Sequence, residues 1–152
     1  MKLGTLCYLR KEGKTLMIYR NKKDNDYHEG KYNGLGGKFL PGETPEECAI
    51  REVQEESGLV MRNPRLHGCI TFPLFDGRDD WYVFIFTCGD FSGRMIDSPE
   101  GYLEWVNNDN LLQLPLWEGD RIFLPWLEKD NFFSAIFNYQ DKHLVSWDVR
   151  FY

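Results

Sequence analysis

The stretch GGKFLPGETPEECAIREVQEESGL, Gly36–Leu59, carries eight charged residues among 24, and six of them are glutamates. Its punctuation predicts a helix. Thr44 stands at the N-cap, Pro45 at the first helical position and Glu47 at the third, a capping box with the favoured proline. Gly58 suits the left-handed residue that ends a helix. At 3.6 residues per turn, Ala49, Ile50 and Val53 share one face with Ser57 beside them, which makes the core stripe. Glu52, Glu55 and Glu56 fall on a neighbouring arc. Glu52 and Glu56 stack at i,i+4, where like charges cost a few tenths of a kcal/mol (~0.2–0.5).

A solvated acidic face would account for the charge run by itself. Two features point further. Divalent cations shared by the carboxylates would remove the repulsion, and Gly34-Leu35-Gly36-Gly37 brings side-chain-free backbone to the same place. Hard cations such as Mg²⁺ take carboxylate and carbonyl oxygens, keep water and pair with substrate phosphates. Arg51, i−4 to Glu55 and i+4 to Glu47, is placed to hold a carboxylate in position.

Outward from this helix the chain reads mostly as strands. Leu3–Leu9 and Thr15–Tyr19 flank the turn at Lys11–Lys14, and a polar loop covers Asn21–Asn33. Leu66–Phe75 and Trp81–Cys88 flank a turn at Asp76–Asp79, Phe91–Arg94 reads as another turn, and Tyr102–Val106 as a strand. A short second helix is expected over Asp120–Leu127, with Pro125 in its first turns, followed by strands over Phe132–Asn138 and Leu144–Phe151. The class is α+β, a mixed sheet with helices packed against it, in one domain over 1–152.

Composition excludes several functions. The chain is 42% hydrophobic and 16% aromatic with a net charge of −6. That supports a packed core and gives no basic surface for a nucleic-acid polymer. Cys7, Cys48, Cys69 and Cys88 form no CxxC and no pair with His28, His67 or His143, so free buried thiols are expected and zinc is not. The opening MKLGTLCYLRKEGK lacks a signal-peptide pattern, and no apolar run reaches a membrane span. A soluble, cytoplasmic protein is expected, and a monomer, because no heptad or apolar stripe is left over. The P-loop pattern of nucleotide kinases is absent.

Gly37, Glu43, Arg51, Glu52, Val53, Glu55, Glu56, Gly58 and Leu59 together match the Nudix box, G-x5-E-x7-R-E-U-x-E-E-x-G-U, at every fixed position. The chain is therefore identified as resembling the Nudix hydrolases. The resemblance implies an α/β/α sandwich around a mixed sheet, and cleavage of a nucleoside diphosphate linked to another group with Mg²⁺ or Mn²⁺. It implies metal binding by Glu52, Glu55 and Glu56 with the Gly36 carbonyl, and an attacking water oriented or deprotonated by one glutamate. Lys23 and Lys38 are candidates to assist the phosphates beside Gly37, although either suits an ordinary surface.

Outside the box, Lys31–Lys38 resembles the corresponding segment of the MutT-type 8-oxo-dGTP diphosphatases, especially the animal oxidised-purine enzymes. There an asparagine at the place of Asn33 bonds the purine. Leu116–Asp120 with Phe123-Leu124-Pro125 resembles their base-pocket segment, with Trp117 and Asp120 matching and Gly119 departing from an acidic residue. Glu100 matches an additional metal-site carboxylate. Each residue also has a plain reading: Trp117 as core, Asp120 as a helix cap, Asn33 as a turn former. The expected function is hydrolysis of 8-oxo-dGTP to its monophosphate and pyrophosphate. The alternatives are the same chemistry on another nucleoside triphosphate, dihydroneopterin triphosphate or ADP-ribose, or a catalytically silent Nudix-fold module that binds a nucleotide or a protein.

Overall fold

In the computed structural model, which describes all 152 residues, strands β1 (Lys2–Lys11) and β2 (Lys14–Tyr19) meet at a tight turn. Glu12 and Gly13 both have positive φ there, 54° and 74°. The two strands stay in register only at Arg10↔Thr15 and Lys11↔Lys14 and then part. The glycine-rich segment enters the gap, bridging to β1 at Cys7↔Leu35 and Gly4↔Lys38. β2 instead pairs antiparallel with β3 (Tyr32–Asn33) and β8 (Tyr102–Asn107). This opening of the sheet sets the later position of the glutamates.

The remaining strands are β4 (Leu59–Met61), β5 (Arg65–Phe72), β6 (Trp81–Cys88), β7 (Phe91–Gly93), β9 (Phe133–Gln140) and β10 (His143–Phe151). The main sheet runs β10-β9-β5-β6-β1-β2-β3, with β8 also on β2. It is mixed: β1 with β6 and β5 with β9 are parallel, and the other pairs are antiparallel. Helix α1 (Pro45–Ser57) covers one face and α2 (Glu118–Phe123) the other, followed by a 3-10 turn at Leu124–Glu128.

Side-chain alternation explains the two layers. On β1, Cys7 and Leu9 pack with Ala49 and Val53 of α1, whereas Leu6 and Tyr8 join Phe123 and Leu124 on the opposite face. The result is an α+β Nudix fold. The capping box is formed: the Glu47 amide donates to Thr44 Oγ1 and the Thr44 amide to Glu47 Oε1, each at 3.1 Å. Such a cap contributes about 1 kcal/mol. Gly58 ends α1 at φ 79°.

Several elements differ from the sequence reading: Tyr32–Asn33, at the end of the expected loop, is strand β3, and β4 at Leu59–Met61 and a 3-10 turn at Asn108–Gln113 have no counterpart in it. Phe91–Arg94 is not only a turn: Phe91–Gly93 is strand β7, paired with Leu59–Met61. That pairing is long-range and leaves no period within three residues. The second helix begins at Glu118 and tightens to 3-10 geometry from Leu124, because Pro125 has no N–H to give the α-helical ladder. β5 stops at Phe72. Beyond it Leu74 takes φ 46°, and the Asp76 carboxylate gathers the amides of Arg78 and Asp79 and the Trp81 indole N–H. All four cysteines are free thiols. No helix is long and apolar enough to cross a membrane.

Candidate active site

The site begins with backbone that only glycine can supply. Gly36 has φ 146°, and a Cβ there would lie 2.0 Å from the Thr5 carbonyl oxygen. A Cβ on Gly37 would lie 2.5 Å from the Glu52 carboxylate. The segment thus runs pressed between β1 and the acidic edge of α1. Thr5 donates a backbone N–H to the Gly37 carbonyl at 2.9 Å, which fixes the chain there.

Glu56 is the buried member of the set, 5% exposed, and its Oε1 accepts the Gly36 amide at 3.1 Å. Burial raises its carboxyl to about 8, and the nearby negative charges of Glu52 and Glu100 push the same way, against the Gly36 hydrogen bond and Arg20. A carboxyl so placed demands a proton or a cation. Glu52 is largely covered, and Glu55 remains 60% exposed.

Arg51 acts as a clamp. Its guanidinium donates to Glu43 Oε2 (2.7 Å) and Oε1 (3.0 Å), to Glu52 Oε1 (2.7 Å), to Glu55 Oε2 (3.2 Å) and to the Lys38 carbonyl (2.9 Å). The sequence reading placed Glu47 among the residues Arg51 could hold. Glu47 is instead committed to the capping box, and Glu43, eight residues upstream, takes that place. Arg51 therefore orients two of the box carboxylates, Glu52 and Glu55, and draws down the Glu43 carboxyl through its hydrogen bond.

Glu100 joins this region from the segment before β8, as its effect on Glu56 shows. It is paired with Arg20 at 3.3 Å and Lys23 at 2.8 Å. Lys23 thus touches a site carboxylate. The Lys38 ammonium lies 5.6 Å from the centre of the Trp81 ring. No three acidic, histidine or cysteine side chains converge into a ready-made metal cage. The donors are all oxygens, and one of them, on Glu56, is buried with a single backbone hydrogen bond. That set suits a hard cation, which typically takes one or two carboxylates and completes its shell with water and phosphate.

A second cluster lies where β3 meets α2. Asn33 is 5% exposed and its Nδ2 has no partner. The Tyr8 hydroxyl, fully buried, also has none. Asp120 is buried, and burial raises its carboxyl to about 7 while Lys31 and Arg121 pull it down. Tyr8 and Tyr139 both feel the Asp120 charge, which raises their hydroxyls beyond what burial alone does. Gly34 is needed beside them, since a Cβ there would meet the Tyr8 ring at 2.8 Å. Tyr8 and Asp120 are thus neighbours in apolar surroundings, and Asn33, next to Gly34, adds a buried amide with hydrogen-bonding capacity to spare.

Trp117 borders this cluster but is only 3% exposed. Tyr27 stacks on it at 5.6 Å and 15°, Phe75 and Tyr139 meet it edge-on, and the Lys31 ammonium lies 4.9 Å from its ring. Its indole N–H donates to His28 Nδ1 at 2.8 Å. Burial, then Arg20, lowers His28 to about 4, so the ring is neutral and able to accept. Asp120 does not cap α2. The N-cap is Trp117, with no side-chain cap bond.

Gly119 has a structural partner. Its amide donates to the Tyr139 hydroxyl at 2.7 Å, and a Cβ at 119 would lie 2.7 Å from that oxygen. Tyr139 thus occupies the space a side chain at 119 would need. Sequence reasoning missed Tyr8 and Tyr139. Tyr8 left a signal, a hydroxyl on the core-facing parity of an apolar strand. Tyr139 left none, because its role depends on β9 lying against α2.

The comparisons with known proteins define the class: a hydrolase of the Nudix type acting on phosphorus anhydrides. The NUDIX domain profile matches residues 2–127. The chain belongs to the Nudix family. It is 30% identical over 144 residues to the oxidized purine nucleoside triphosphate hydrolase of Danio rerio, covering 95% of this chain and 90% of that protein. It is 31% identical over 129 residues to the uncharacterized Nudix hydrolase YvcI of Bacillus subtilis, covering 82% of this chain and 78% of that one. The structure of a mutator MutT protein from Bacillus halodurans superimposes with a TM-score of 0.88 at 31% identity, covering 98% and 97% of the two chains. The chain is thus a Nudix hydrolase with MutT-like relatives.

Proposed function

We propose that the protein hydrolyses 8-oxo-dGTP and related oxidised purine nucleoside triphosphates to the monophosphate and pyrophosphate, and so cleanses the nucleotide pool. Two observations carry this reading: Asn33 Nδ2 and the Tyr8 hydroxyl are buried without partners, and the buried Asp120 carboxyl lies near enough to Tyr8 to raise its hydroxyl. Asn33 is three residues from Gly36, which spans roughly 10 Å of extended chain. That separation suits a nucleotide with its base at one cluster and its phosphates at the glutamates.

Asp120 supports the oxidised-purine reading through its raised carboxyl. Near neutral pH it offers both a donor and an acceptor form to a base edge. The N7–H of 8-oxoguanine is a donor that guanine lacks, and a site built to bond such a group rejects analogues without it. Stacking on Trp117 requires the base to replace one of its present covers, Tyr27 or Lys31. With Gly119 packed against the Tyr139 hydroxyl, Asp120 is the one carboxylate of this pocket, which favours a narrow range of bases.

The chemistry adds one water across a phosphoanhydride bond. Glu52, Glu55 and Glu56, with the Gly36 carbonyl and Glu100, are the residues that would hold Mg²⁺ or Mn²⁺. Such a cation lowers the pKa of bound water and neutralises charge on the phosphate oxygens. One glutamate of the set orients or deprotonates the attacking water. Arg51 holds Glu52 and Glu55 in place, and Lys23 and Lys38 flank the phosphates beside Gly37. The protein acts in the cytoplasm on a free nucleotide.

A Mg²⁺-dependent panel of 8-oxo-dGTP, dGTP, dATP and ADP-ribose, with products resolved by chromatography, tests the proposal. The expected result is a strong kcat/KM preference for 8-oxo-dGTP with release of pyrophosphate. Equal turnover of dGTP would remove the base-pocket reading. No turnover of any substrate would favour a silent binding module.

A further inference from the structure

The outer edge of the sheet is long and unpaired. β10 has one strand neighbour, β9, and its other side faces solvent. Natural edges are usually blunted by proline, lysine, bulges or a covering element, because free backbone groups invite another strand. β10 has a bulge between Leu144 and Ser146, but Ser146–Tyr152, SWDVRFY, contains no proline and no lysine. Trp147, Phe151 and Tyr152 are 46%, 40% and 67% exposed. The expectation of a monomer rested on finding no spare apolar stripe, and this edge supplies one.

The register identifies which backbone groups are free. The Tyr152 amide donates to the Phe132 carbonyl at 2.8 Å, so Tyr152 directs its polar groups inward to β9. Strand parity then directs Arg150, Asp148 and Ser146 inward, in register with Ser134, Ile136 and Asn138. Trp147, Val149 and Phe151 therefore turn their N–H and C=O groups outward. Trp147 and Phe151 lie on the face of Trp126, with ring centres 5.8 and 5.3 Å away. Asp148 and Arg150 lie on the opposite face. Neither has an ion-pair partner in its own chain.

We infer that two copies of the chain pair antiparallel through β10 about a two-fold axis at Val149. In that register Val149 faces Val149 of the other copy, and Trp147 faces Phe151 reciprocally. All three positions have outward backbone groups, so each pair exchanges two hydrogen bonds. Asp148 faces Arg150 in both directions, at the closely spaced pair where cross-strand side chains interact most. Competing registers fail. An axis at Asp148 sets that carboxylate against itself, and an axis at Trp147 sets Arg150 against Leu144 and runs into the bulge. Charges of opposite sign two residues apart make this edge attract itself in one alignment. Gatekeeping charges would have repelled in all of them.

Sedimentation equilibrium from about 1 to about 100 µM, a range in which a short interface associates, tests the inference on the full chain. The expected mass rises with concentration toward twice 18.0 kDa. Val149→Pro removes an outward N–H and trims a half-buried side chain; edge strands tolerate proline at such a position, so circular dichroism shows a folded chain while dimerisation is lost. Asp148→Arg and Arg150→Asp each weaken association at least tenfold, and the double variant restores it. A monomer throughout the range would overturn the inference. So would a dimer indifferent to Val149→Pro, or a double variant no better than the singles.

Discussion

The two halves of the site are built on opposite electrostatic plans. The glutamate cluster concentrates charge: Glu43, Glu52 and Glu55 share one guanidinium, and Glu100 adds its negative charge to that of Glu52 around Glu56. The cluster around Tyr8 and Asp120 removes charge: Asp120 is driven toward neutrality, His28 is neutral, and Tyr8 and Asn33 have uncommitted polar atoms. A strongly charged cluster suits cations and phosphates whatever the base attached to them. A neutral, desolvated cluster distinguishes one base edge from another, because each unmet hydrogen bond there costs about 1–3 kcal/mol.

The largest effect that separates the halves is Glu56→Gln. Loss of this buried carboxylate lowers kcat by about 10²–10⁴-fold, while nucleotide binding measured by calorimetry stays near normal. Near-normal kcat would show that cleavage does not depend on this carboxyl. Asn33→Ala acts on the other half. It reduces the ratio of kcat/KM for 8-oxo-dGTP over dGTP by about 10–100-fold, as a lost buried hydrogen bond of ~1.5–3 kcal/mol would. Metal dependence is unchanged, and an unaltered ratio would take Asn33 out of the pocket.

Gly119→Asp probes what keeps position 119 free of a side chain. The new side chain meets the Tyr139 hydroxyl, so thermal denaturation shows a loss of about 1–3 kcal/mol, typical of overpacking. Adding Tyr139→Phe, which removes the clashing hydroxyl and keeps the ring against Phe75 and Trp117, recovers part of it. Failure of the second change to help would mean that Tyr139 is not what excludes a side chain at 119. The smallest effect belongs to Thr44→Ala, about 1 kcal/mol of stability with unchanged selectivity.

The pH dependence of the cation-free protein follows from the same contrast. Glu56 at about 8 and Asp120 at about 7 both hold their protons more tightly folded than unfolded. The folded state then binds more protons between the ordinary carboxylate range and pH 8, so these groups' contribution to stability falls as pH rises through that window. Mg²⁺ restores stability at its upper end by binding only the folded state. Denaturant titrations at pH 5 and 8, with and without Mg²⁺, check the sign. A Glu56→Gln variant with the wild-type pH slope would contradict it.

The two regions were also unequally legible in the sequence. The cap, the glycine stop and the glutamate arc of α1 are set by neighbours within one helix, and each is visible as spacing. Gly36 and Gly37 adjoin that pattern, and their need for bare backbone follows from what lies against them. The base cluster assembles Asn33, Trp117 and Asp120 from segments more than 80 residues apart. Resemblance brought out those three, but Tyr8 and Tyr139 depend on which strands lie beside α2. Short β7 and the early end of β5 were missed for a similar reason: long-range pairing and side-chain capping by Asp76 override local propensity.

The most direct test is the 8-oxo-dGTP over dGTP ratio of kcat/KM, measured with Mg²⁺ on the wild type and Asn33→Ala side by side. Separate reading and cleavage halves predict a high ratio that collapses in the variant while dGTP turnover persists. A ratio near one in the wild type, or loss of both activities together in the variant, would contradict the account.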